Sequence, residues 1–148
     1  MRKKHLILTF VFSLSFFSCG NGEFEQFYAN YEDFKKIPNK RLTGWFPEII
    51  TRDSYEIKNS SHLDICAFCS IKYRNKKSID SIFSIYKSVP VSNFKIVLEK
   101  YSEKTPEWFP NIDSERKFYN VIKLNNHVWA LREKNKKQVF TISLLMNE

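Results

Sequence analysis

From Lys117 onward the chain is written in period two. Lys117 to Leu124, Val128 to Glu133 and Val139 to Leu145 each alternate apolar with polar residues, the pattern of a strand whose successive side chains point to opposite faces. Asn125-Asn126 separates the first pair of runs, and Lys134-Asn135-Lys136-Lys137 the second. Asparagine tolerates the left-handed backbone of tight hairpin turns. The C-terminal part is therefore expected to be a three-stranded antiparallel meander.

A fourth strand is expected over residues 62–73. Leu63, Ile65, Ala67, Cys69, Ile71 and Tyr73 fall on one side of the alternation, and His62, Asp64, Cys66, Phe68, Ser70 and Lys72 on the other. Three helices are expected beside these strands. Phe24, Phe27, Tyr28, Tyr31 and Phe34 recur at helical spacing, which predicts a helix from Glu23 to Ile37, stopped by Pro38. A second is expected over Ser78 to Lys87 with Ser78 as N-cap, and a third from about Ser92 to Ser102. Lys40 to Ser61 reads as a long irregular connection, and Thr105 to Pro110, with Pro106 and Pro110, cannot be regular. The expected fold class is α+β: an antiparallel sheet of roughly four strands with about three helices packed on one face.

The N-terminus reads as an export signal. Arg2, Lys3 and Lys4 precede a nearly uninterrupted apolar run from Leu6 to Phe17. Such a run is too short to cross about 30 Å of hydrocarbon but fits the apolar core of a signal peptide. Phe16-Phe17-Ser18-Cys19 resembles a bacterial lipoprotein signal, in which a small residue precedes a cysteine that is acylated, with palmitate among the chains, and becomes the new N-terminus. Phe16 stands where such signals usually carry an aliphatic residue. Two acyl chains anchor stably where one does so only marginally. The expected organisation is a signal peptide over 1–18, a lipidated tether over 19–22 with Cys19 as attachment site, and a single domain over 23–148. The alternatives are a plain secreted protein, or an uncleaved anchor in which Cys19 is incidental.

Composition excludes several chemistries. Beyond the tether only Gly44 remains, so no phosphate-cradling loop, dinucleotide fingerprint or nucleophile elbow can be written. The formal charge of +8 falls to +5 without Arg2, Lys3 and Lys4. The remaining bases are spread along the chain, which suits a solvated surface and not a nucleic-acid partner. No cofactor is expected.

Cys66-Ala-Phe-Cys69 has the spacing of a redox motif. It sits inside a strand-like alternation, where positions i and i+3 point to opposite faces and the sulfurs cannot pair. His62, Asp64 and Cys66 share one strand face as a possible metal set, against the plainer reading of packing and surface residues. Neither reading gives a catalytic or metal residue.

Gly44-Trp45-Phe46-Pro47 makes a pinned loop in which Trp45 is expected to pack on the core. With Ser54, Ile57, Leu63 and Asp64, the stretch from Arg41 to Tyr73 resembles a family of small bacterial lipoproteins, YbbD-like, departing from it at Phe46 and Thr51. The resemblance implies one compact α+β domain and carries over no catalytic role. The expected function is a lipid-anchored, monomeric envelope protein, exported to the periplasm or cell surface. It would be non-enzymatic and bind a protein or cell-wall partner. Trp108, Phe109 and Trp45 are the candidate contact residues, because loop aromatics are common hot spots. The alternatives are a membrane-anchored inhibitor or immunity protein, and a thiol- or metal-dependent envelope enzyme.

Overall fold

The structure, a computed structural model, describes residues 23–36, 45–63, 65–112 and 119–144. The expected signal peptide, tether, Cys19 and Gly44 lie outside these residues. The described chain is α+β, built on a seven-stranded sheet in which every neighbouring pair is antiparallel. In chain order the strands are β1 (Glu23–Asn30), β2 (Ser54–His62), β3 (Cys66–Tyr73), β4 (Ser88–Val89), β5 (Tyr119–Lys123), β6 (Val128–Glu133) and β7 (Gln138–Leu144). Their spatial order is β1-β2-β3-β7-β6-β5-β4. Among the described residues three α-helices accompany them: α1 (Tyr31–Lys35), α2 (Lys76–Ile85) and α3 (Val91–Lys100).

The meander forms as its alternation predicts, as β5, β6 and β7. Its last strand then pairs with β3, from Cys66–Leu144 to Lys72–Gln138. That places β3 near the middle of the sheet with both faces covered, and seven of its eight residues are buried. Cys69, Ile71 and Tyr73 join one core cluster with Ile57, Ile79, Ile122 and Val139. Cys66 and Phe68 join the other, with Phe94, Phe109, Val121, Leu131 and Ile142.

Two expectations are corrected by this arrangement. The sheet has seven strands where four were expected, and the helices lie on both faces. Ile79 of α2 and the partly buried Phe34 of α1 pack on the first cluster, while Phe94 of α3 packs on the second. A wide sheet with apolar residues on both sides of its central strands must cover both, since fully burying a Phe or Leu contributes roughly 1.5–3 kcal/mol.

The expected first helix is β1 followed by the short α1, and the irregular connection contains β2. β1 and β2 pair without a register shift from Glu23–His62 to Tyr28–Ile57. Helix α2 starts two residues before the expected Ser78. Its N-cap is Asn75, whose side-chain oxygen accepts from the Lys77 N–H at 3.0 Å. The Asn75 N–H in turn donates to the Asp53 carboxylate at 2.8 Å, fixing the turn before the helix.

Side-chain bonds fasten the outer pieces to the sheet. The buried Tyr73 hydroxyl donates to the Ile49 carbonyl at 2.8 Å, holding the segment that carries Phe46. Arg132 on β6, 8% exposed, donates to Asp80 of α2 at 2.6 Å, and its guanidinium lies 4.5 Å from the Phe83 ring centroid.

Candidate functional site

The sheet ends in an aromatic edge. Among the described residues β1 has one neighbour, β2, and its side chains alternate between the two faces of the sheet. Phe24, Gln26 and Tyr28 share the face of Ile57, on the first cluster's side, and Glu23, Glu25 and Phe27 point to the other. Phe24 is 47% exposed and Phe27 58%.

Each face is flanked by one of the two tryptophan loops. The Trp45 ring centroid lies 6.3 Å from that of Phe24, and the indole is half-buried. Its neighbour Phe46 is the core residue of that loop, with its ring 4.9 Å from Phe34 and 5.8 Å from Tyr28. The pinned loop thus buries Phe46 more deeply than Trp45, a correction to the expected core role.

Trp108 is half-buried on the other face. It is held there by Phe109, whose ring lies 5.2 Å from Phe68, 5.5 Å from Phe140 and 6.4 Å from Phe94, stacked on the last. The Phe109 N–H donates to the Pro106 carbonyl at 2.9 Å, closing a turn that pushes Phe109 inward and leaves Trp108 at the rim. Phe109, expected as a contact residue, is 6% exposed and belongs to the core.

Between Trp108 and the edge lies a cleft of about 450 Å³ lined by Glu25, Gln26, Phe27, Lys58, Asn59 and Trp108. Aromatic side chains supply apolar contact area, and Glu25 and Lys58 supply charge of both signs. Of these, only Trp108 is a contact residue expected from sequence. Glu23, Glu25 and Phe27 share a face of mixed polarity, so no period-two signal stood against the helical spacing of the aromatics. A second hollow of about 400 Å³ lies against the same loop, between Leu98 and Glu99 of α3 and Pro106 and Pro110.

The other candidates are dispersed. Cys66 and Cys69 are free and buried in separate clusters. Burial pushes the Cys66 thiol up to about 11, partly offset by the Lys104 ammonium, and pushes Cys69 up as well. A thiol held protonated near neutral pH is a poor nucleophile and a poor ligand. The His62 Nε2–H donates to the Lys104 carbonyl at 2.9 Å, and Glu23 Oε1 lies 3.8 Å from the same nitrogen. Asp64, the third member of the possible metal set, lies outside the described residues, and among those described no group of three His, Cys, Asp or Glu could hold a metal. No described helix is long and apolar enough to cross a membrane.

No curated protein and no solved structure matches the chain. Residues 25–83, fewer than half of the 148, match the family model of the YbbD head domain. That span runs from β1 to α2, contains the whole stretch from Arg41 to Tyr73, and supports a YbbD-like family for the half of the sheet that carries the aromatic edge.

Proposed function

We propose that this chain is a non-enzymatic bacterial envelope protein, anchored by lipid at Cys19 after removal of residues 1–18, which binds a protein or cell-wall partner through the cleft beside Trp108. The observation that carries the binding role is the cleft itself: an aromatic at its rim, a second exposed aromatic in Phe27, and one acid and one base between them. Half-buried aromatics with a dry backing and polar neighbours are the usual anchors of an interface. The anchor at Cys19 rests on the N-terminal sequence. The protonated, separated thiols weigh against a thiol enzyme.

The test is capture of a partner by the full-length lipidated protein from its native envelope. Trp108→Ala loses a half-buried side chain, about 1–2 kcal/mol of burial, and keeps the fold. It is expected to reduce capture about tenfold, equivalent to 1.4 kcal/mol of binding. Phe109→Ala, by contrast, should destabilise by about 3–5 kcal/mol as a core truncation. Capture undiminished in both Trp108→Ala and Phe27→Ser overturns the cleft as the binding site.

A further inference from the structure

The two ends of the sheet are unlike. β4 is an edge of two residues, whereas β1 is an edge of eight, paired with β2 in unbroken register through most of its length. An edge strand presents a row of backbone N–H and C=O groups to whatever lies beside it, and natural proteins blunt such rows with lysine, proline or bulges. From Glu23 to Phe34 there is no Lys, Arg or Pro, while Glu23, Glu25, Glu32 and Asp33 are acidic in a chain of net charge +8. The strand's two exposed aromatic side chains lie on opposite faces. Phe24 has Trp45 beside it, and Phe27 lines the cleft with Trp108.

We propose that β1 is a strand-addition site: an extended polypeptide segment of a partner pairs with it and makes an eighth strand of the sheet. This deepens the binding role proposed above and rests on it. The two faces of β1 specify the incoming sequence. Side chains landing on the face of Glu23, Glu25 and Phe27 meet two carboxylates, so Lys or Arg is complementary there, placed beside the acids and away from Lys58, which lies opposite Phe27. Side chains on the other face meet Phe24, Gln26 and Tyr28, which favours apolar residues. The matching segment therefore alternates basic and apolar. Main-chain hydrogen bonds supply affinity in this mode and the alternate side chains supply specificity. A second copy of this chain is the poorer occupant, because it would set one acidic edge against another and bring together two bodies of like net charge.

The experiment uses the full-length chain in a non-ionic detergent with synthetic peptides of about ten residues, roughly enough to cover one strand. One alternates Lys and Val, one alternates Glu and Val, and one is the Lys–Val peptide interrupted by two prolines. Hydrogen exchange read along residues 23–30 should slow about tenfold with the Lys–Val peptide and stay unchanged with the other two. Glu23→Lys combined with Glu25→Lys, both at the solvent edge, should reverse the preference towards the Glu–Val peptide. Three results overturn the proposal: no slowing within 23–30 by the Lys–Val peptide, equal slowing by all three peptides, or slowing that rises with protein concentration alone. Capture that depends on Trp108 without protection of 23–30 overturns strand addition and leaves the cleft standing. Capture indifferent to Trp108 is the separate failure of the cleft.

Discussion

Cys66 and Cys69 show how much a spacing of three can decide. Their positions within an alternating run place them on opposite faces, and the structure puts one in each core cluster. Trp108 and Phe109 are the contrary case. Adjacent aromatics between two prolines look alike in sequence, and only the cavity formed by Phe68, Phe94 and Phe140, from distant elements, selects Phe109 for the core. The thiols also carry a pH prediction. Burial raises both above the ordinary value of 9.0, so the folded state keeps protons that the unfolded state releases. Stability from this source is whole below about pH 9 and falls as pH rises through the folded values, by up to about 1.4 kcal/mol per pH unit for each thiol. Buried Tyr73, raised from 10.0 by desolvation, adds to the loss further up. Urea unfolding measured from pH 7 to 10.5 should give a plateau and then a decline, and Cys66→Ala with Cys69→Ala should make the decline shallower. An unchanged profile in the double variant would sink the assignment.

At the scale of elements, the misread first helix and the missed β2 are one error. The aromatics of β1 happen to fit helical spacing, and nothing local opposes it; the strand exists because β2 lies beside it. β2 in turn hides from pattern reading, since Ser54, Asn59, Ser60 and Ser61 are buried polar residues with no apolar alternation to announce them. Two of these serines bond to the edge strand: Ser60 donates to the Glu23 carboxylate at 3.3 Å and Ser61 to the Phe24 carbonyl at 3.4 Å. The β2–β3 register shifts between Tyr55 and Lys58, where Glu56 takes a φ of 43° and its carboxylate accepts from Lys72 Nζ. A non-glycine residue held there stores roughly 1–3 kcal/mol. Glu56→Gly should therefore match the parent stability within about 1 kcal/mol, because relief of the backbone offsets loss of an exposed ion pair. Glu56→Val loses the same ion pair and keeps the strain, now with a β-branched side chain, so it should fall about 1–2 kcal/mol below Glu56→Gly. Denaturant midpoints compare the two, and equal values would show that the bulge carries no strain.

The whole molecule joins two sequence-separated halves through one seam. β1, β2 and β3 form one side and the β5–β7 meander with β4 the other, met where β3 pairs with β7. The meander was legible because its contacts are between neighbours in sequence; the seam was not, because it brings residue 66 against residue 144. The arrangement sets the acidic, aromatic edge at the very start of the described chain, four residues after Cys19. At 3.3–3.6 Å per residue, that tether spans at most about 14 Å. An acylated Cys19 would hold β1 close to the lipid headgroups, so the segment that pairs with it must itself reach the membrane surface. The expectation begins with processing. The protein recovered from its native host should fractionate with membranes and have an intact mass lacking residues 1–18 and carrying acyl chains. Cys19→Ser should move it to the soluble fraction with its unfolding transition unchanged, since Cys19 lies outside the ranges of β1 to β7. A parent protein that is soluble and unacylated at Cys19 would remove the anchor and, with it, the requirement that the partner segment lie at the membrane.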